Sequence, residues 1–454
     1  MATATLPQVW RGRSGRAYVP ADTRGSIRHG NMATVRKVIG KGGPVGTSTV
    51  ADGVPLALKL WNEGGDDGSL EQFHAESRTL FELSTRRGDI PCPRLYDLVG
   101  SPVVTGMIME WCPVDLERWW GEKLAEPEAF GRLMATLAES ARRLDDYHRF
   151  TEKNGNPGAH GDLKSSNILL DIRGRWLISD FGHARIAPPE DNPLITGVIA
   201  GGTQSFLAPE VLFHARQPFP AAIDTWGLAA VAYSLVALRR VVLEGTSAPR
   251  NGSHAPRFRM HRMDQVLALF DKAPTRFKGK HLAPAAFPDP LTLPEADRTA
   301  IAEALRGVFG AEDPDREAAL TEAFALVIER ATSIDPSHRY TSANDLAVAF
   351  EEVATQFISL ASARVEAGMA TKPAEPGDDG KAVQLESQLE ELKREVERLR
   401  DSAKEVEEVE ATGAPDSGGQ SWLMALVIVL VIGGMAALGA VMLVMGIGLA
   451  LFAL

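Results

Sequence analysis

Apolar positions in the first part of the chain follow two different periods. Residues 55–60 alternate as a strand, and its two faces carry different side chains: Leu56, Leu58 and Leu60 on one, Ala57 and Lys59 on the other. Between residues 73 and 83 the spacing changes to three and four, which predicts a helix whose apolar stripe contains one carboxylate, Glu76. Burying a carboxylate is costly unless it is paired. We therefore predict that Glu76 pairs with Lys59.

Two further apolar patterns lie near the end of the chain. Apolar residues between 382 and 409 alternate three and four apart, mostly with Leu at the d positions, which predicts a short coiled coil and a possible homodimer. Residues 422–454 carry no charge and exceed the roughly 20 apolar residues that span a bilayer, so they predict one transmembrane helix. Stretches 358–381 and 411–421 have the composition of flexible linkers.

Composition narrows the possible functions. The chain has 454 residues, more than one ordinary domain needs, and a net charge of −11, which argues against a nucleic-acid-binding protein. Its two cysteines are too few for a disulfide scaffold and indicate reduced thiols. Several arginines occur within residues 1–24, which are predicted to form a solvated basic arm.

The strongest chemical signal is a short loop and the motif that follows it: His160-Gly161-Asp162-Leu163-Lys164-Ser165-Ser166-Asn167, then Asp180-Phe181-Gly182. Asp162 can accept the proton of an attacking hydroxyl, and Lys164 can neutralise charge on a transferred phosphoryl group. Asn167 and Asp180 offer oxygen ligands for Mg²⁺. A strand hairpin between the two motifs would bring Asp180 back beside Asn167. This set of residues predicts phosphoryl transfer from ATP.

These motifs resemble the eukaryotic-like (Hanks-type) protein kinases, and among them the bacterial Ser/Thr kinases, over roughly residues 25–357. The resemblance implies an α+β, bilobal protein kinase fold with a small β-rich N-lobe and a larger helical C-lobe. The coiled coil and the transmembrane helix would follow it. ATP and Mg²⁺ are the implied cofactors, and a Ser or Thr hydroxyl of a protein is the implied acceptor.

The resemblance also assigns roles to single residues. It implies that Asp162 is the catalytic base and that Lys59 and Glu76 form the ion pair that kinases need for activity. Met109 takes the gatekeeper position, and the backbone from Glu110 to Cys112 would meet adenine. Gly161 departs from the family pattern, because an Arg that meets an activation-loop phosphate usually precedes the catalytic Asp.

Two stretches compete as the loop that covers the ATP phosphates. Residues 39–46, with Gly40 and Gly42, lie at the usual distance from Lys59 but lack the Val that normally follows. Residues 27–35 contain Gly30 and a correctly placed Val35. They carry Arg28 where the first Gly belongs, however, and require a long insertion before Lys59. The sequence leaves both alternatives open.

Three residues are expected to hold the kinase fold together. Glu210 closes the Ala-Pro-Glu segment, and the resemblance implies that Arg339 pairs with it. Asp224 precedes an almost wholly apolar helix, residues 226–238, which must be buried. By resemblance, Asp224 would brace the catalytic loop.

The sequence therefore predicts a membrane-anchored Ser/Thr protein kinase with a signalling role. Because catalysis needs ATP, the kinase domain is expected on the cytoplasmic side of a single-pass protein of the cell membrane. The alternative is a pseudokinase scaffold that binds partners, and nucleotide as well, without phosphotransfer. A full set of phosphate and metal residues favours the enzyme.

Overall fold

The computed structural model describes these parts of the chain: residues 9–21, 27–29, 33–43, 50–62, 67–86, 88–126, 128–154, 158–183, 185–186, 202–213, 215, 220–243, 259–309 and 313–371. One compact unit extends to Val365. The predicted coiled coil, the second linker and the predicted transmembrane helix lie outside these residues, and they remain predictions.

The first lobe is built on an antiparallel sheet with strand order β1-β2-β4-β5-β7-β6, to which β3 adds by pairing with β4. The strands are β1 Trp10–Arg11, β2 Ala17–Pro20, β3 Ile27–His29, β4 Ala33–Lys41, β5 Pro55–Trp61, β6 Leu95–Val99 and β7 Gly106–Glu110. Helix α1, Asp67–Ser84, is the single described helix of this lobe. The β-rich first lobe agrees with the sequence prediction.

The alternation predicted for β5 is confirmed. Leu56 and Leu58 are buried in one hydrophobic cluster, while the opposite face of the strand carries Ala57 and Lys59. Helix α1 buries the predicted stripe, with Phe73 and Leu80 almost fully enclosed beside Glu76. One sheet therefore has two covered faces, and only one of them carries polar chemistry.

The second lobe is mostly helical. Its helices are α2 Leu116–Lys123, α3 Ala129–Lys153, α4 Pro209–Leu212, α5 Pro220–Leu243, α6 His261–Lys272, α7 Glu295–Leu305, α8 Pro314–Ala331 and α9 Ala343–Thr371. Short strands complete it: β8 Val114–Asp115, β9 Gly158–Ala159, β10 Ile168–Leu170, β11 Trp176–Ile178 and β12 Arg185–Ile186. The predicted catalytic hairpin forms from β10 and β11, with Ile168 opposite Ile178.

Helix α5 lies at the centre of this lobe. In length and composition it could cross a membrane, but 83% of its most apolar window is buried within the folded unit. This burial confirms the prediction for residues 226–238, whose apolar side chains pack on every side rather than along one stripe.

Two domain boundaries predicted from sequence need correction. The segment 1–24 is not simply a solvated arm, because residues 10–20 form β1 and β2 and the side chain of Arg16 is buried. The predicted linker 358–381 is helical in its first part, since α9 continues to Thr371. Composition misled at this point because Ala-rich sequence also favours helix.

Candidate active site

Three charged side chains meet where α1 packs against the sheet. Nζ of Lys59 donates to both carboxylate oxygens of Glu76, at 2.7 and 2.6 Å, and to Oδ1 of Asp180 at 3.2 Å. Strand β5 supplies the lysine, α1 supplies the glutamate, and the residue after the β10–β11 hairpin supplies Asp180. The structure thus forms the ion pair predicted from the polar interruption of the apolar stripe.

Burial and pairing shift the pKa values of this cluster in different directions. Burial disfavours the ammonium form of Lys59, but Asp180 and Glu76 outweigh it and raise the lysine pKa. Burial also opposes ionisation of Asp180, yet Lys59 and Lys164 hold the pKa of Asp180 below its usual range. Two carboxylates share one close ammonium. The more deeply buried of them, Glu76, therefore ionises least readily.

Glu76 is expected to make stability depend on pH near neutrality. Burial raises the pKa of Glu76 from 4.5 to about 7; the charge of Asp180 also raises it, and Lys59 opposes the rise. The folded state therefore binds a proton that the unfolded state has lost, and its stability decreases as pH rises through this range. We expect the melting temperature of Glu76→Gln, relative to wild type, to increase from about pH 5 to about pH 8.

Thermal unfolding without metal or nucleotide measures this difference. Glu71→Gln is the matched control, because Glu71 lies exposed on the same helix. Its melting temperature should differ from wild type by the same amount at every pH. A Glu76→Gln difference that also stays constant with pH would contradict the assignment.

The loop between β9 and β10 gathers the next three groups. Nζ of Lys164 lies 3.0 Å from Oδ2 of Asp162 and 3.8 Å from Oδ2 of Asp180. The side-chain nitrogen of Asn167 donates to the carbonyl oxygen of Asp162 at 2.9 Å. The other carboxylate oxygen of Asp162, Oδ1, is buried and has no hydrogen-bond partner within the described parts of the chain. That oxygen is therefore available as a proton acceptor.

Buried hydrogen bonds brace this loop from below. Asp224 accepts from the amide of His160 at 2.7 Å and from the amide of Gly161 at 3.0 Å. A contact of 2.7 Å also joins Asp224 to Nε2 of His148, which the sequence analysis did not single out. Gly161 has φ +77°, in the left-handed region that glycine adopts without strain. The bracing role predicted for Asp224 is confirmed.

His160 links the catalytic loop to the segment that carries Asp180. Its Nδ1 accepts from the amide of Asp162 at 3.3 Å, so Nε2 carries the proton and donates to the Ser179 carbonyl at 2.9 Å. The Phe181 ring packs on His160 and Tyr147, with centroids 4.9 and 5.0 Å away. Asp180 itself has φ +69°, a conformation that these surrounding contacts maintain.

Strand register decides between the two glycine-containing stretches. In the β4–β5 pair, Val35 lies directly opposite Lys59, while Ile39 lies opposite Pro55 at the far end. Four residues of strand separate the two positions, about 13 Å. The β3–β4 hairpin of residues 27–35 is therefore the one next to Lys59. Gly30, at its tip, lies outside the described residues.

The stretch 39–46 was the wrong alternative, and Gly40 and Gly42 do not belong to the site. The amides of Gly42 and Gly43 both donate to the Asp52 carboxylate, at 3.0 Å. These bonds, with that from Gly43 the strongest, hold the pKa of Asp52 below its usual range. Because an internal carboxylate occupies these backbone donors, the glycines shape a turn rather than a phosphate site.

The predicted adenine contacts lie on and just after β7. Met109 pairs with Ala57 across the sheet, which places both on the face that carries Lys59. Glu110 ends the strand, and its carboxylate receives Arg175 at 3.1 Å. Cys112 follows and is buried. Their contact with adenine remains a prediction, and their position beside the lysine strand agrees with it.

Asn167 and Asp180 fit a hard divalent cation. Within the described ranges, no three His, Cys, Asp or Glu side chains lie close enough together to hold a metal. Mg²⁺, however, commonly takes only one or two protein oxygens and completes its shell with water and phosphate. The bond from the Asn167 nitrogen to the loop leaves its amide oxygen as the group that can meet a cation.

Comparison with known proteins agrees with this geometry. The family model "Protein kinase domain" matches residues 34–350, well over half of the chain. Serine/threonine-protein kinase TOS3 of Saccharomyces cerevisiae is 29% identical over 154 residues, 31% of this chain and 27% of the yeast protein. Human serine/threonine-protein kinase Sgk2 is 42% identical over 76 residues, 16% of this chain and 19% of its own length.

A plant relative extends the longest of these matches. L-type lectin-domain containing receptor kinase S.1 of Arabidopsis thaliana is 28% identical over 214 residues, which cover 45% of this chain and 30% of the plant protein. The chain thus spans less than a third of the length of these curated relatives. Because the family model covers both lobes and the residues of the site, the chain belongs to the protein kinase domain family.

Proposed function

We propose that this protein is a Ser/Thr protein kinase that transfers the γ-phosphoryl group of ATP to protein hydroxyls. The observation that carries the proposal is the convergence of two lysines and two aspartates around the unpartnered Oδ1 of Asp162. The names of the yeast and human relatives support serine and threonine as acceptors. Within the family we propose a place among the bacterial kinases, supported by the sequence His160-Gly161-Asp162.

Each side chain of the site has a task in this reaction. Lys59, oriented by Glu76, would hold the phosphates of the nucleotide. Oδ1 of Asp162 would accept the proton of the attacking hydroxyl, while Lys164, 3.0 Å from its other oxygen, would stabilise charge on the transferred group. Asn167 and Asp180 would hold Mg²⁺, which supplies neutralisation of the phosphate charge.

Phosphotransfer by the full-length chain tests the proposal. With Mg²⁺ and labelled ATP, we expect label to appear on Ser and Thr of the kinase itself or of a generic protein substrate, and not on Tyr. Acid hydrolysis followed by phosphoamino acid separation measures it. Nucleotide binding without any phosphotransfer would instead support the scaffold alternative.

We also propose that the segments beyond α9 locate and pair the kinase. The uncharged run 422–454 and the heptad pattern of residues 382–409 support a single-pass membrane anchor and a homodimer, with the kinase domain in the cytoplasm. Deleting residues 422–454 should move an active kinase from the membrane fraction to the soluble fraction. Persistent sedimentation with membranes would contradict the anchor.

The truncated form also tests the pairing. Analytical ultracentrifugation should show a dimer, and Leu392→Pro should convert it to a monomer, because Pro breaks the helix in the middle of the heptad pattern. Leu392→Ala is a milder control that keeps the helix. Two monomeric species at micromolar concentration would contradict pairing through these residues.

A further inference from the structure

The most unexpected feature of the fold is an N-terminal hairpin formed by β1 and β2 of residues 9–21. Strand β2 pairs with the edge of β4, from Ala17 opposite Lys41 to Pro20 opposite Val38. On the other side of the hairpin, Gly12 forms an antiparallel bridge with Val99 of β6, the strand at the opposite edge of the sheet. The sheet of the first lobe therefore closes into a ring. The hairpin lies outside the family match, which begins at residue 34.

The ring encloses a hydrophobic core of its own. Trp10 and Tyr18 of the hairpin are 5% and 0% exposed and pack with side chains from the other strands: Val38, Leu56, Leu58, Val99 and Ile108. Leu58 directly precedes Lys59 and points to the opposite face of β5. The enclosed core thus supports the back of the strand whose front carries the lysine of the active site.

Specific polar contacts close the ring. The buried Asp97 carboxylate on β6 accepts from the Tyr18 hydroxyl at 2.8 Å, from the Ser14 amide at 3.2 Å and from the Ser14 hydroxyl. Arg13 donates to the carbonyl oxygens of Gly100 and Pro102, both at 2.8 Å. Such a set of directional bonds to one strand end fixes where the hairpin docks.

Arg16 ties the hairpin to the turn between β4 and β5. Its side chain is fully buried, and the guanidinium donates to the Val50 carbonyl and to Asp52 at 2.7 Å. The same Asp52 holds the Gly42 and Gly43 amides at the end of β4. The guanidinium lies against Gly40, where a Cβ atom would collide with it. One arginine therefore joins β2, the end of β4 and the segment that leads into β5.

We propose that the N-terminal hairpin is a positioning element of the nucleotide site and that Arg16 is the residue through which it acts. The inference rests on the nucleotide site of the proposed function. Strands β4 and β5 carry Val35 and Lys59 opposite each other, about 16 Å from the Arg16 end of the same hairpin. Anchoring one end of a stiff strand pair and filling its back face restricts its twist at the other end.

The expected effect is on affinity rather than on the chemical step. If Arg16 preorganises Lys59 and the β3–β4 hairpin, its loss should weaken binding of Mg²⁺·ADP and raise the KM for ATP about five- to tenfold. The kcat should remain within about twofold, because Asp162 and Lys164 belong to the other lobe. A role in folding alone would lower the melting temperature and leave both constants unchanged.

Variants of the full-length chain test the proposal by Mg²⁺·ADP titration and steady-state kinetics. Arg16→Met keeps the length of the side chain and removes the guanidinium, and Asp52→Asn removes its partner at a half-exposed position. We expect each to weaken ADP binding and the double variant to be no weaker than the single ones, because both break one link. Arg16→Lys should restore part of the affinity.

Arg11→Met is the matched control, since Arg11 is exposed on the same hairpin; it should bind ADP as wild type does. The proposal is overturned if Arg16→Met lowers the melting temperature but leaves the ADP Kd unchanged, or if the effects of the two variants multiply. Should Arg16→Met fail to fold, unchanged affinity in Asp52→Asn would overturn it alone. Wild type that binds ADP but transfers no phosphate would refute the proposed activity, and the affinity comparison would still stand.

Discussion

Asp162→Asn should lower phosphotransfer by about 100- to 10,000-fold, the range typical of losing a positioned general base. The carboxylate is 2% exposed, and Lys164 occupies one oxygen while the other has no partner among the described residues. An amide keeps the shape of this side chain but cannot accept the hydroxyl proton. Initial rates with saturating Mg²⁺·ATP measure the loss.

Nucleotide affinity distinguishes a chemical defect from a folding defect. The variant should bind Mg²⁺·ADP with wild-type affinity, because Asp162 bonds to the loop and to Lys164 rather than to Lys59. Asp146→Asn, exposed on α3, is the matched control and should retain full activity. If Asp162→Asn stays within about tenfold of wild type, another group acts as the base.

Arg339→Ala should destabilise the protein by about 3–5 kcal/mol, the usual cost of leaving one charge of a buried ion pair without its partner. Arg339 forms a two-pronged contact with Glu210, at 2.7 and 2.9 Å, and both side chains are fully buried. It also donates to the carbonyls of Ser333 and Ala222 and stacks on Trp226 at 4.9 Å. Denaturant unfolding measures the change.

An exposed ion pair provides the contrast. Arg149 lies 2.7 Å from Asp145 but is 69% exposed, so Arg149→Ala should cost less than about 1 kcal/mol. Replacing Glu210 and Arg339 together by Met should recover part of the loss, since no buried charge is then left alone. A cost below about 1 kcal/mol for Arg339→Ala would show that the pair is not structurally important.

Several parts of the site follow from sequence because their geometry is local. Asp162, Lys164 and Asn167 lie on one loop, and a short hairpin returns the chain to Asp180. The Lys59–Glu76 pair spans more sequence, but a carboxylate in an apolar stripe beside a strand lysine gives it a clear signal. In each case, spacing and the cost of burying charge were sufficient.

Other parts depended on contacts that spacing does not encode. The strands of the N-terminal hairpin have two and four residues, too few to show an alternating pattern, and their arginines favoured a solvated arm. Their partners lie far along the chain, on β6 and next to Asp52. The same tertiary contacts determined which glycine stretch lies at the site. Asp52 occupies the Gly42 and Gly43 amides, and the register of β4 on β5 brings Val35 to Lys59. Sequence alone thus determined the reacting groups, which are close in the chain or signalled by buried charge. Tertiary structure alone decided strand register and ring closure, because those depend on which distant donors and acceptors satisfy each other.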